Sequence, residues 1–381
     1  MAGIYIHIPF CKQACSYCDF HFSTKLSNKQ NVLAAIEKEL EFRANYIRTE
    51  VVETIYFGGG TPSLLSQSEI QAILKKVNDV YTVSKSAEIT LEANPDDLTM
   101  AKLKELKQTS VNRLSVGVQS FFEKDLKFMN RAHNAEEAIQ SIRNAKEVGF
   151  ANISIDLIFG SQTTSNEMWQ QNLDTFFDLE VNHLSAYSLT VEEKTALAHQ
   201  VAKGKVENVD DEKNYHQYLM LQGAIKENSF EQYELSNYCK NEAYSKHNTS
   251  YWQNKKYLGV GPSAHSFDGV SRQWNLRNNA QYVKAVNTET SFFEKEDLSE
   301  IDRYHEYLIT SLRTMWGAEL SYIENSFSEH IASHFTNKSQ ILNTSIIDMS
   351  HNSLKIKPDF LFQSDEVVRE LMVDFEAQNL N

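Results

Sequence analysis

An α/β fold, a partial barrel of six strand–helix units followed by a mainly helical C-terminal part, is what this sequence predicts. Three observations carry the prediction. Short apolar runs alternate with stretches of helical period from Ile4 to Leu189, the pattern of a parallel sheet covered by helices. That alternation becomes irregular after Leu189, whereas a closed eight-unit barrel needs about 250 residues with every unit complete. From about Ile301 the period is helical again, with two brief apolar runs that suit a small hairpin.

The first strand is read at Ile4-Tyr5-Ile6-His7-Ile8-Pro9-Phe10. A helix over Asn28 to Ile47 carries Val32, Leu33, Ile36, Leu40 and Ile47 at helical spacing. Glu53 to Phe57 is the second strand, ending at Gly58-Gly59-Gly60-Thr61-Pro62. The next helix opens at Ser66 or Ser68 and carries Ile70, Ile73, Leu74 and Val77. Glu88 to Ala93 is the third strand, stopped by Asn94-Pro95. A helix around Met100 to Leu106 leads to a fourth strand, Arg113 to Gln119. Helices at Glu123 to Met129 and Ala135 to Val148 precede a fifth strand, Ile153 to Phe159, closed by Gly160. A helix near Trp169 to Leu179 leads into a sixth, His183 to Leu189, and Asp210 to Asn228 forms a further helix.

Residues 231–300 then lose helical period and are rich in aromatics, small residues and His. They are read as a connecting region packed on the barrel of residues 1–230. Residues 301–381 read as a compact, winged-helix-like C-terminal domain, with Tyr304, Tyr307, Leu308, Ile309 and Leu312 on one helix and Val367 to Phe375 as the last.

The chain has 381 residues, 41% hydrophobic and 23% charged, an ordinary globular composition. Its net charge is 37 − 51 = −14, spread along the chain, which argues against a nucleic-acid partner because phosphate binding needs a basic face. No run approaches membrane-spanning length, and no basic-then-apolar leader is present. Three of the four cysteines crowd one loop, which suits a metal centre in a reducing compartment, so a cytoplasmic location is expected.

That loop is Cys11-Lys12-Gln13-Ala14-Cys15-Ser16-Tyr17-Cys18. Structural zinc normally takes four closed ligands, often as paired Cys-x-x-Cys units, and no second pair exists here. Three thiolates at Cys-x3-Cys-x2-Cys spacing suit a cubane iron–sulfur cluster with one iron left open for a small molecule. A zinc knuckle is the competing reading. Gly58, Gly59, Gly60 and Thr61, directly after a strand, allow a ligand to approach the backbone closely, or form a plain turn. Glu92, Gln119, Arg131 and Asp156 stand in or beyond apolar strands or at helix ends. They are either ligand-holding groups or a structural ion pair such as Glu92 with Arg131. Tyr5 and His7 share a strand face that should overlook the cysteine loop. His247-Asn248-x-x-Tyr251-Trp252 offers an imidazole and two stacking aromatics, suited to a flat macrocycle or to core packing. Cys239 reads as a core residue.

The cysteine spacing, with Tyr17 before the last cysteine, resembles the radical S-adenosylmethionine (SAM) superfamily. The likeness extends through Tyr5–Cys11, Gly58–Pro62, Leu91–Pro95, Gly117–Ser120 and Ile155–Gly160. It points to the branch holding the oxygen-independent coproporphyrinogen III dehydrogenases (HemN) and the HemW haem chaperones. The resemblance implies a partial TIM-like barrel. It also implies a [4Fe-4S] cluster on Cys11, Cys15 and Cys18, whose open iron binds SAM and whose electron generates a 5′-deoxyadenosyl radical. SAM would lie against Gly58, Gly59, Gly60, Thr61, Glu92, Gln119, Arg131 and Asp156, with Tyr5 near its methionine end.

The dehydrogenases carry a further cysteine where this chain has Phe20, and an N-terminal extension where only ten residues precede Cys11. The His247-Asn248-x-x-Tyr251-Trp252 run matches the motif associated with the chaperones. The resemblance therefore implies haem as cargo with His247 as a contact. It further implies delivery to apoproteins, respiratory ones among them, and a homodimer. Decarboxylation of coproporphyrinogen III is the alternative activity.

Overall fold

Tyr5, Tyr56 and Asp156 point to the opposite face of their strands from Ile4, Ile55 and Ile155, and this alternation sets the architecture. The computed structural model describes residues 1–350 and 352–373. Six parallel strands, β1 (Ala2–Ile8), β2 (Val52–Gly59), β3 (Val83–Ala93), β4 (Arg113–Gln119), β5 (Asn152–Phe159) and β6 (His183–Ser188), pair in chain order. Between and after them lie α1 (Lys29–Phe42), α2 (Gln67–Val80), α3 (Met100–Leu106), α4 (Glu123–Phe128), α5 (Ala135–Glu147), α6 (Asn166–Asp178), α7 (Ala196–Ala202) and α8 (Asp211–Glu227). The apolar strand residues Ile4, Ile6, Phe57, Leu91, Val116, Ile155 and Leu184 are buried against α1-, α2- and α5-type helix faces such as Val32, Ile36, Ile73 and Ile142. Burying one such side chain is worth about 1.5–3 kcal/mol, so this layer holds the curved sheet.

Local chemistry sets the helix ends. Ser66, not Ser68, caps α2. Its Oγ accepts from Glu69 N at 3.2 Å while Glu69 Oε2 accepts from Ser66 N at 2.7 Å, a reciprocal capping box. Asn134 and Glu137 repeat the device on α5.

Residues 231–300 are more than a connector, for their strands extend the sheet at both edges. On one side β6 pairs antiparallel with β8 (Asn237–Cys239), which pairs with β7 (Glu231–Glu234). The motif around His247 forms a short helix, α9 (Lys246–Trp252). On the other side β9 (Lys256–Val260) pairs parallel with β1, followed by β10 (His265–Phe267), β11 (Ser271–Asn275) and, after α10 (Asn279–Asn287), β12 (Phe293–Asp297). The result is one twelve-stranded open sheet. Cys239 lies buried in β8, opposite His183.

The C-terminal part has its own core of Tyr304, Leu308, Phe335, Leu354 and Leu371. It comprises α11 (Glu300–Ser311), β13 (Ala318–Glu319), α12 (Leu320–Ser326), α13 (Glu329–Ile341), β14 (Ile347–Ser350), β15 (Ser353–Ile356) and α14 (Ser364–Leu371). Three antiparallel strands in the order β13-β15-β14, flanked by helices, give the expected winged-helix-like form. The last expected helix, Val367 to Phe375, corresponds to α14, which ends at Leu371; its two final positions lie outside the described residues. No helix among the described residues is long and apolar enough to cross a membrane.

Candidate functional site

The loop after β1 is tied at its base: Ser23 N donates to Pro9 O at 2.9 Å and Cys11 N to Ser23 O at 3.1 Å. Its middle is clamped to the loop after α4. Ser16 N and Oγ donate to Met129 O and Phe128 O, each at 3.0 Å, and Gln13 Nε2 donates to Asn130 O at 2.9 Å. Asn130 Nδ2 returns a bond to Ala14 O at 2.7 Å, and Lys12 pairs with Asp96 and Asp97. The thiols of Cys11, Cys15 and Cys18 are thus presented by a braced loop at the C-terminal end of the parallel strands.

Below the loop, the barrel interior is polar where an ordinary barrel would be packed with branched apolar side chains. Tyr5, Tyr56, Glu92, Ser115, Ser154, Asp156, Ser185 and Tyr187 face one cavity of about 620 Å3, together with the three cysteines, Gly59, Gly60, Thr61, Gln119, Arg131 and His247. Gly58 packs at its edge, where an added Cβ would meet Tyr56, Tyr5 and Glu92 at 2.8–3.0 Å. Burying such groups costs free energy unless they are partnered, so this interior is built for a polar ligand.

Glu92 accepts from Tyr56 Oη at 2.8 Å and from Gly59 N at 3.1 Å. Burial, with the Asp156 carboxyl nearby, lifts its pKa to about 7 despite those bonds. Burial also lifts Asp156 to about 6, against hydrogen bonds from Ser185 and Ser115. Arg131 is pinned: Nη2 donates to Asn94 Oδ1 and Gly117 O, both at 2.7 Å, and Nη1 donates to Cys15 Sγ at 3.2 Å. The structural pair of Glu92 with Arg131 is not formed among the described residues; Arg131 turns to the cysteine loop instead. Gln119 has φ +68° and sends its amide back towards Gly117. Gly59 has φ +106° and faces the His7 ring. At Gly60 a Cβ would meet Phe10 N and O at 2.7 Å.

Tyr5 and His7 do share a face, with Tyr5 Oη on His7 Nδ1 at 3.1 Å. His7, however, lines a second cavity of about 510 Å3 beside the first; of these two residues Tyr5 is the one that reaches both. His247 is buried under the motif helix. Nδ1 bonds Thr54 Oγ1 at 2.7 Å, Nε2 bonds Tyr251 Oη at 2.8 Å, and the ring stacks on Tyr56 at 5.0 Å. Burial lowers its pKa to about 3. The expectation of a haem contact at His247 therefore meets a ring with no free nitrogen in this arrangement. Its route to a ligand is its ring face or Tyr251.

Comparison with known proteins places this geometry. Residues 5–176 match the radical SAM superfamily. The haem chaperone HemW of Bacillus subtilis is 36% identical over 288 residues, which cover 75% of this chain and 76% of that protein. The chain belongs to the HemW family. A second HemW, from Lactococcus lactis, is 34% identical over 323 residues, covering 85% and 84%. The HemN coproporphyrinogen III oxidase of Escherichia coli superposes with TM-score 0.83 over 97% of this chain and 89% of its own. At 20% identity that likeness shows the fold alone.

HemW membership in the radical SAM superfamily implies a [4Fe-4S] cluster and SAM, and the residues fit both. Burial raises the thiol pKa of Cys11, and that of Cys18 to about 11, so these two sulfurs favour the thiolate only beside strong positive charge such as iron. The Nε of Arg131 is buried with no partner, a cation facing the same loop.

Sequence reasoning missed His21, Lys255, His265 and Arg277, which line the second cavity. His21 lies three residues past Cys18 and His265 closes the Gly-x-Gly-x-x-x-His run after β9; both signals were present without a chemical pattern to single them out.

Proposed function

We propose that this chain is a haem chaperone on a radical SAM scaffold. It holds a [4Fe-4S] cluster on Cys11, Cys15 and Cys18 and SAM in the polar barrel. It carries haem beside them for delivery to haem proteins. The observation that carries the reading is the juxtaposition of two cavities: a thiol-bearing polar interior and an aromatic, imidazole-rich space, sharing Tyr5, Phe20 and Tyr251 as walls. The HemW relatives support the haem cargo by their names.

When bound, the cluster supplies one-electron reduction to an adjacent sulfonium. The chain's own residues bind and orient. Gly59 and Gly60 let this turn pack against His7 and Phe10 and so bring backbone to the cavity wall. Glu92, half-protonated near neutrality, can accept from an ammonium or hydroxyl group. Asp156, held near Ser115, suits ribose hydroxyls. Arg131, fixed by Asn94 and Gly117, fixes Cys15 and presents a cation to a carboxylate. Tyr5 closes the methionine side. His247 positions Tyr251 rather than ligating iron. Cytoplasmic action, haem-accepting apoproteins of the respiratory chain as partners and a homodimer complete the proposal, and they rest on the family resemblance.

The test is an anaerobic haem titration of the cluster-reconstituted protein, followed by visible spectroscopy, with a coproporphyrinogen III turnover assay on the same sample. Stoichiometric haem binding without decarboxylation is expected. Turnover without stable haem binding would overturn the reading and make the protein an enzyme of haem synthesis.

A further inference from the structure

From the second cavity we infer that haem sits outside the barrel mouth, with His265 as its iron ligand and Lys255 and Arg277 as the partners of its propionates. This assignment rests on the proposed haem cargo and moves the iron away from His247. The cavity is about 510 Å3, within the range of about 300–1,000 Å3 typical of small-ligand sites. Its walls include Tyr251, Trp252, Tyr257 and Phe267, flat apolar faces for a macrocycle. Phe20, 67% exposed at the boundary of the two cavities, is a large apolar side chain left for a ligand to cover.

Hydrogen bonding ranks the imidazoles. Three histidines line this space. Both nitrogens of His7 are used, Nδ1 by Tyr5 Oη and Nε2 by the His21 carbonyl at 2.9 Å. His21 spends Nε2 on Asn279 Oδ1 at 2.7 Å and keeps Nδ1 alone, on a half-buried ring. His265 is exposed, and neither of its ring nitrogens has a hydrogen-bond partner among the described residues; its ring contact is with Trp274 at 6.4 Å. It can therefore offer a nitrogen to iron without breaking anything in the fold.

The charges follow the same logic. Of the three cations lining the cavity, Arg272 is already engaged by Glu306. Lys255 and Arg277 have no acidic partner among the described residues; Arg277 donates only to the backbone carbonyl of Asp19. Two unpaired cations in a chain of net charge −14 suit two carboxylates. Among the described residues Asp19 is the only acidic one lining the space. Beside it the indole N–H of Trp252 is buried without an acceptor, a second unmet donor.

The experiment titrates the cluster-reconstituted full chain anaerobically with haem and with haem dimethyl ester, which lacks free carboxylates. Wild type should bind haem at least tenfold more tightly than the ester. Lys255→Gln/Arg277→Gln should lose that preference. His265→Ala should shift the Soret and visible bands and weaken haem binding at least tenfold, and added imidazole should restore the spectrum. His265→Gln guards against a folding defect, because it keeps the side chain's bulk and must show the same spectral change. A wild-type spectrum and affinity in both His265 variants would overturn the assignment while leaving haem carriage intact. Absence of haem binding by wild type would instead overturn the functional reading itself.

Discussion

His247→Ala should destabilise the protein with no haem present. The imidazole is wedged between Thr54 Oγ1 and Tyr251 Oη at 2.7 and 2.8 Å, and both hydroxyls lose a partner when it goes. An unsatisfied buried polar group costs about 1–3 kcal/mol, so two give roughly 2–6 kcal/mol. The Tyr251 end belongs at the low side, since that bond is part-buried. The lost stack on Tyr56 adds to the sum. Against a typical total of about 5–15 kcal/mol this is a large fraction.

The pH dependence carries a sign. A ring with folded pKa about 3 against 6.5 unfolded binds its proton only when the chain unfolds. Stability from this group is full above pH 6.5 and falls as the pH drops towards 3. By pH 5 the loss is about 2 kcal/mol at 1.4 kcal/mol per unit. The assay is urea unfolding of the apo-protein at pH 7.5 and pH 5, with Thr54→Val and the double variant completing a cycle. A variant within about 1 kcal/mol of wild type at pH 7.5, or an unchanged pH slope, would refute the structural role of this ring.

Glu92→Gln removes a carboxyl whose pKa is lifted to about 7. Because the folded protein holds that proton more tightly, the charge costs stability as the pH rises from 4.5 through 7. The apo-variant should therefore be more stable than wild type at pH 8, with the gap closing towards pH 5 in urea melts, while equilibrium dialysis shows weaker SAM binding. Gly60→Ala drives a Cβ into the Phe10 backbone; iron and sulfide per chain after reconstitution should fall by half or more. Arg131→Met breaks the bonds to Asn94, Gly117 and Cys15. It should cost about 2–6 kcal/mol in unfolding, from about 1–3 kcal/mol for each of the Asn94 and Gly117 acceptors left buried, and it should broaden the cluster's EPR signal on reduction.

The six-unit sheet was legible because its signals are local. Glycine, Asn94-Pro95 and capping residues punctuate each unit, and the fourth strand and third helix fall on the residues where period alone puts them. The cysteine loop was legible for the same reason. The sheet extensions were not. β8 and β10 are three residues long, too short to show alternation, and β9 finds its partner in β1 some 250 positions away. Glu92 and Asp156 stood out as carboxyls in apolar strands, but Tyr56, Ser115, Ser154, Ser185 and Tyr187 did not; the paired register shows that they gather on the same side. The motif at His247 drew attention as a ligand, yet its helical spacing of four to Tyr251 predicts the hydrogen bond that closes the ring.

The pairing of β1 between β2 and β9 also has a consequence for biosynthesis. The strand that anchors the cysteine loop is finished within the first eight residues, but one of its two neighbours spans Lys256–Val260. On the ribosome the barrel wall stays open along that seam until some two-thirds of the chain has emerged, since domains complete only when their distant partners arrive. Pairing of β9 with β1 and packing of α10 on α1 then cover that flank, and the wall of the second cavity that holds His265 is built by the same late segment.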